Sequence, residues 1–571
     1  MWARERIELV AVSRGARPAD RYVRGGLLLN VYTGETYPAN VAVRGERIAY
    51  VGLRDDMVGP RTEIIDAGGR TLVPGYIEPH AHPWNLATPA ALARHVLPLG
   101  TTAIFGDNLT AYELGGLRGF ESAAAALAHG PLRFYWLIRP HGQSPADGES
   151  RRFSRPAIRR MLGKPWSAAM GEVTRWPDVL AGRRDLFDRL ALASAAGKRI
   201  EGHTAGAGPE KLPGLAAAGF SSDHEPISAA EAIERARLGI ALMLRQSSLR
   251  PDLRALLAPF VKAGAFERVM LTTDGSSPSF IARHGFVDNL VRLAIEEGVP
   301  PATAYRMVTL HPASYYGKDA DLGGIAPGRY ADILLLGDIL EPRPAAVIAR
   351  GRLVARDGQS TVAFPEPPWR RIFTPRSTRL DRTWRLAAEE LELGEGTVPV
   401  LRLVSAVITQ LDERPLRRGD LHAALLDRRG EWITTAGLSG FAPELDGLAT
   451  TLSTDCQILA AGRRPEAMAQ AVNRLLEMKG GLVVVDGRRV AFELPLPLGG
   501  LMATGPLLEM ARREDELKSL LAARGYAFHD PLFTLYFMAA DFLPSVRLTG
   551  RGVWDVRRAR VVSPSRRRRS R

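Results

Sequence analysis

Two histidines, His80 and His82, stand one residue apart in "LVPGYIEPHAHPWN" (residues 72–85), directly after an apolar run. The chain has only 11 histidines in 571 residues, so abundance does not explain the pairing. Side chains along a strand alternate between faces, but where a strand curls into a loop two rings can converge, as metal ligands must. Two loop histidines that share no ligand are the other reading, and an isolated H-x-H does not separate the two. Further metal-competent residues recur wherever an apolar run stops. Glu172 closes "AAMGE", His203 closes "KRIEGH" before the small-residue loop "TAGAG", His224 closes "GFSSDH", and Asp274 closes "VMLTTD" before "GSS". Each alone is a weak signal. Together, four histidines and two carboxylates make a ligand set for one or two hydrolytic metal ions, able to lower the pKa of water from about 15.7 toward 7. His141, in "IRPHGQ", also ends an apolar run and is a candidate substrate contact. His95, His129 and His284 read as surface or packing residues, and His311, in "TLHPASYYG", as a helix-capping or packing one.

These residues need a scaffold that brings strand ends together. From 73 to 320 the chain cycles between short apolar runs ("TTAIFGD", "LRFYWLI", "IALMLR" among them) and Ala/Leu-rich segments of helical period such as "RRDLFDRLALASAAG". That alternation predicts a (β/α)8 TIM-like barrel, whose catalytic groups lie at the C-terminal ends of its strands. Short strands with turns precede it in 1–72 and follow it in 321–364, predicting one small β-sandwich module split across both flanks. Residues 365–385, opening on "PEPPWRRIFTPRSTRL", read as a linker, 386–555 as a separate C-terminal α/β domain, and 556–571 as a solvated basic tail.

Composition bounds the alternatives. A chain of 571 residues with 46% hydrophobic and 24% charged residues fits about three soluble globular domains. No apolar stretch is long enough to span a bilayer, the N-terminus lacks the features of a secretory signal, and the single cysteine, Cys456, excludes a disulfide framework, so a cytoplasmic protein is expected. The formal charge of +14 raises a nucleic-acid reading. Only seven of the 76 basic residues are lysine, however, and the arginines are spread along the whole chain. The one basic run, "RRRRSR", has no aromatics interleaved to stack bases. No specific nucleic acid and no membrane partner are expected.

The motifs "PGYIEPHAH", "LPLGTT", "EGHTAG", "SDHE", "TTD", "TLHPASYYG" and "GGIAPGRYADILLL" resemble the metal-dependent amidohydrolase superfamily. "AQAVNRLLEMKGGLVVV" followed by "ELPLPLGGLM" is similar to the extra C-terminal domain of its adenine deaminase branch. The resemblance runs from about residue 25 to 555. It implies hydrolysis of adenine to hypoxanthine and ammonia by a binuclear centre of Mn²⁺ or Fe²⁺, with Zn²⁺ an alternative. His80 and His82 would hold the more buried ion, Glu172 would bridge, and His203 and His224 would take the second. Asp274 would ligate metal and shuttle the proton from water to the leaving amine, and Glu225 would protonate a purine ring nitrogen. A small-molecule purine substrate and a homodimer are the expected partners.

Three stretches depart from the branch pattern: "PWNLATP" after H-x-H, "AIFGDNLTAYELGG" where an Asp-Pro-His-Glu element is usual, and "STDCQIL" in place of a histidine-rich element. The first two hold the candidate substrate contacts Trp84, Asp107 and Asn108. A divergent subgroup is therefore expected, with N6-substituted adenine, another aminated heterocycle or a cyclic amide as alternative substrates.

Overall fold

The computed structural model describes residues 2–143, 149–373 and 380–568. Eight parallel strands form one sheet in chain order: β1 (Tyr76–Ala81), β2 (Thr101–Asp107), β3 (Arg133–Ile138), β4 (Ser167–Val173), β5 (Ile200–Gly202), β6 (Phe220–Asp223), β7 (Ala241–Arg245) and β8 (Val269–Thr272). A parallel bridge between Ala81 and Asp274 draws β1 against the end of β8, so this nearly closed barrel meets itself at its C-terminal rim. The period-2 alternation of strands decides what enters the lumen. Phe105, Leu137 and Met243 pack in the barrel's inner cluster, whereas Ile104, Ile138 and Leu244 face the surrounding helices. Two residues on, in phase with the inner set, stand Asp107, Arg139 and Arg245.

The flanking segments form one continuous nine-stranded sheet. Its seam pairs Thr71–Pro74 with Ile333–Leu336, so the two ends of the barrel segment are held together by backbone hydrogen bonds. Ile48 near one sheet edge and Ile348 near the other share a single apolar cluster, so the sheet wraps over its own core. A helix over Trp2–Ser13 adds Leu9 and Val12 to the outside of this sheet.

In the C-terminal domain both faces of the main sheet are buried. Along Leu421–Leu426, Leu421, Ala423 and Leu425 join the core shared with the barrel, while Ala424 and Leu426 pack on the helix Pro465–Glu477. This explains the near-continuous apolar runs "LHAALL" and "GLVVV", which a one-sided sheet would alternate with polar residues.

Two boundary expectations change. The Pro/Arg-rich stretch is not an open linker at its start, because Trp369 and Phe373 are buried against Trp84; residues 374–379 lie outside the described part. The basic segment is docked through Arg568. Arg560–Pro564 pairs with Gly552–Asp555, Arg566–Arg567 pairs with Trp432–Ile433, and Arg568 reaches Glu390 at 2.8 Å. The backbone is thus ordered by strand pairing, while Arg560, Arg566 and Arg567 keep their side chains exposed to solvent. Residues 569–571 lie outside the described part. Among the described residues no helix is long and apolar enough to cross a membrane.

Candidate active site

The six residues singled out at strand ends converge on one point at the barrel rim. His80 lies in β1 and His82 just after it, Glu172 lies in β4, His203 and His224 immediately follow β5 and β6, and Asp274 follows β8. Three overlapping groups, His80–His82–Glu172, His80–His224–Asp274 and Glu172–His203–His224, each bring their ligand atoms within 4.8 Å of one another. His82 Nε2 is 3.2 Å from Asp274 Oδ1 and 3.8 Å from Glu172 Oε2. The other Glu172 oxygen, Oε1, contacts His203 Nδ1 and lies 3.3 Å from His224 Nε2. Glu172 thus faces a different histidine set with each oxygen, as a bridging carboxylate must.

A divalent metal fits this donor set. His80 is fully buried; its Nδ1–H donates to Glu201 Oε2 at 3.0 Å, while Nε2 makes no hydrogen bond among the described residues. A buried ring nitrogen with a free lone pair, fixed by a carboxylate on the opposite nitrogen, is the usual arrangement of a metal-ligating histidine.

Three buried carboxylates that belong to none of these groups fasten the strand ends. Glu78 accepts from the His80 N–H at 3.0 Å and, across the barrel seam, from Thr272 Oγ1 at 2.6 Å and the Thr273 N–H at 2.9 Å. Asp223 accepts from the Thr204 N–H at 3.2 Å and the Glu225 N–H at 3.3 Å, tying the β5 and β6 loops, and is paired with Arg235. Asp107 accepts from the Leu109 N–H at 2.7 Å and pairs with Arg139.

Two buried arginines set the charge of the site. Arg139 reaches Asp107, Glu172 Oε2 at 2.5 Å and the Glu172 carbonyl at 2.7 Å. Arg245 Nη1 donates to Glu225 Oε1 at 2.5 Å and Asp274 Oδ2 at 3.1 Å. Burial pushes the Glu172, Asp274 and Glu225 carboxyls upward, but the arginines and histidines that face them outweigh it. Arg139, His203 and His224 hold Glu172 well below the usual range; His82, Arg245 and His224 do the same for Asp274; and Arg245 with His203 and His224 brings Glu225 to about 2. Glu225 therefore stands ionised, and it must collect a proton before it can give one to a ring nitrogen.

The cleft above these groups is lined on the barrel side by His82, Asp107, Arg139, Glu172, His203, Glu225, Arg245 and Asp274 among others. Three expected substrate contacts lie elsewhere. Trp84 is 1% exposed, stacks on Trp136 at 5.2 Å between centroids and donates its indole N–H to the Asp107 carbonyl, so its faces are spent on packing. Asn108 is buried beneath the rim, where its Oδ1 accepts from the Arg139 N–H. His141 is buried with Nδ1 on the Gly142 carbonyl at 2.8 Å. Arg139 and Arg245 were missed as site residues, although their phase in "LRFYWLIR" and "IALMLR" points them inward.

Residues 71–354 match the model of the amidohydrolase family and residues 405–560 that of the adenine deaminase C-terminal domain. An adenine deaminase of Moorella thermoacetica is 34% identical, with 97% of each chain covered. The chain belongs to the adenine deaminase family. Another adenine deaminase, from Cenarchaeum symbiosum, is 33% identical over 97% of this chain and 94% of its own. A Halalkalibacterium halodurans chain, named for the same activity as a provisional assignment, is 34% identical over 99% and 98%. As a member of this family the chain is a hydrolase acting on C–N bonds, and its histidine and carboxylate groups suit the divalent metal that the amidohydrolase fold implies.

Proposed function

We propose that this protein hydrolyses adenine to hypoxanthine and ammonia. The carrying observation is the convergence of His80, His82, Glu172, His203, His224 and Asp274 at the barrel rim of a chain that matches adenine deaminases over nearly its whole length. These six residues would hold the metal. An imidazole and carboxylate set without thiolate suits Mn²⁺ or Fe²⁺, and Zn²⁺ as an alternative, and two overlapping donor groups around Glu172 suit a pair of ions. When bound, the metal supplies Lewis acidity that makes water nucleophilic at neutral pH.

The remaining chemistry belongs to the chain. Water adds its oxygen to C6, the C6–N bond breaks, and the two water protons must reach the ring nitrogen beside C6 and the departing amine. Two ionised carboxylates stand in the cleft to carry them, joined through Arg245 Nη1. Asp274 takes a proton from water and gives it to the amine. Glu225 carries the other to the ring nitrogen, which matches its ionised resting state.

The test is ammonia release by the Mn²⁺-loaded protein from adenine, adenosine and N6-methyladenine side by side, with Asp274→Asn as control. Asp274 sits at φ 51°, a conformation asparagine tolerates, so the variant removes the carboxylate without straining the backbone. Adenine turnover that falls by about 10²–10⁴ in the control supports the proposal. Release of methylamine from N6-methyladenine with no ammonia from adenine would replace it with an N6-substituted substrate, and inertness toward all three with metal bound would move the substrate outside the purines.

A further inference from the structure

The cleft has two unlike walls. The barrel contributes mainly histidine, carboxylate, arginine and small polar side chains, whereas the C-terminal domain contributes Val407, Phe533, Tyr536, Phe537, Phe542 and Leu543 with only Thr454 as an aliphatic polar group. Phe542 stands edge-on to His203 at 5.3 Å between centroids, directly above the proposed metal ligands. Phe537 backs it at 6.3 Å and stacks in turn on Phe533 at 5.8 Å. The segment is held in place from both sides: the Thr454 N–H donates to the Tyr536 carbonyl at 3.0 Å, and Arg547 donates to the carbonyls of Val407 and Pro544 at 2.6 and 2.7 Å. Phe537 and Phe542 nonetheless remain partly exposed, toward the cleft they line.

We propose that the C-terminal domain is the ring-binding half of the active site, with Phe542 stacking on a planar heteroaromatic substrate whose polar edge meets the barrel floor. An apolar roof over a charged floor suits a ligand with a π face and a hydrogen-bonding rim, because each surface then meets its complement. A puckered, saturated ring such as a cyclic amide would meet the roof with poor contact. The inference deepens the proposed function, since adenine is such a ring, but it concerns binding and does not need adenine to be the substrate turned over.

The experiment measures binding to the metal-loaded full chain by calorimetry, using hypoxanthine, which the proposed reaction does not consume, together with the matched pair uracil and dihydrouracil. Metal content and melting temperature are recorded for every protein. Planar rings are expected to bind at least tenfold more tightly than the saturated one. In Phe542→Leu, which keeps an apolar side chain of similar bulk, planar affinity should drop about tenfold or more, the scale of one aromatic–base stack, with metal content unchanged. A Phe542→Tyr variant, which keeps the ring, should stay close to wild type and so separates stacking from disturbed folding. Equal affinity of wild type and Phe542→Leu for the planar rings, or no preference for planar over saturated rings, would overturn the proposal. Planar preference without adenine turnover would keep the roof and reject the reaction.

Discussion

Removing the charge of Glu201 is expected to weaken metal binding without unfolding the protein. Glu201 is fully buried; one oxygen accepts from His80 Nδ1 at 3.0 Å and the other from the Tyr316 hydroxyl, which also reaches the Pro79 carbonyl at 2.7 Å. Glutamine fits this environment. Its carbonyl can face His80, and its amide can donate to the Tyr316 oxygen while that hydroxyl donates to Pro79. No buried polar group is left unpaired, so the fold should survive. The charge assistance is lost: a hydrogen bond to a charged group contributes about 1.5–3 kcal/mol against about 1 for a neutral one. The difference, about 0.5–2 kcal/mol, corresponds to a roughly twofold to thirtyfold loss of affinity, overlapping the 10–100-fold range for partners of ligating histidines. The assay is competition for Mn²⁺ against a chelator of known affinity, with the metal-free melting temperature measured in parallel. Glu201→Gln should shift the metal midpoint by about a factor of ten and the metal-free melting temperature by little. Unchanged metal affinity in a folded variant would refute the reasoning, because His80 Nε2 would then not be a ligand tuned by its opposite nitrogen.

Three further outcomes follow from the same contacts. Arg139→Leu leaves Asp107 and Glu172 buried without their guanidinium and should cost about 3–5 kcal/mol in denaturant unfolding of the metal-free protein, partly recovered on loading metal; a loss below about 1 kcal/mol would count against the pairing. Trp84→Phe should leave the KM for adenine within about twofold while lowering stability by about 1–3 kcal/mol through its lost N–H bond and volume, whereas a large KM change would return Trp84 to the substrate site. Burial raises the Glu113 carboxyl to about 7, so the folded chain keeps this proton where the unfolded chain has released it. Its contribution therefore turns unfavourable as pH rises from about 4.5 to 7. Glu113→Gln should match wild type in melting temperature near pH 4.5 and exceed it at pH 8, and a difference independent of pH would refute the assignment.

The barrel and its ligand set were legible because both leave local marks: apolar runs at regular spacing, each ended by a histidine or carboxylate. The arginines were not, since arginine is so abundant in this chain that no single one stands out. Only strand phase, Leu137 to Arg139 and Met243 to Arg245, marks them as inward. Trp84 was misplaced for a different reason. Position beside a strand end does not fix the direction of a side chain, and Trp136, Trp369 and Phe373 supply an aromatic pocket that a reading of local sequence cannot see. The roof residues lie far along the chain in a helix and loop with no chemical signature, and they reach the cleft only through docking of one domain on another. That docking includes Ser279, whose N–H and hydroxyl donate to Glu514 at 2.8 and 2.7 Å, and the pairing of Leu86–Ala87 with Met502–Ala503.

Three of the chain's arginines are committed to the buried site, where carboxylates balance their charge. Two carboxylate ligands, Glu225 and the carboxylates that fasten the strand ends crowd acidic groups into a small buried volume. Left uncompensated, such groups would protonate rather than remain ionised. Arg139, Arg235 and Arg245 each answer this by pairing with carboxylates at strand ends, and all three are nearly inaccessible to solvent. Lysine would serve less well there. A guanidinium stays charged when buried and spans two acceptors, as Arg139 does between Asp107 and Glu172, whereas a buried ammonium loses its proton more readily and offers no planar fork. At these positions the arginines are part of the machinery that keeps Asp274, Glu225 and Glu172 ionised, and their charge is spent inside the barrel rather than offered at its surface.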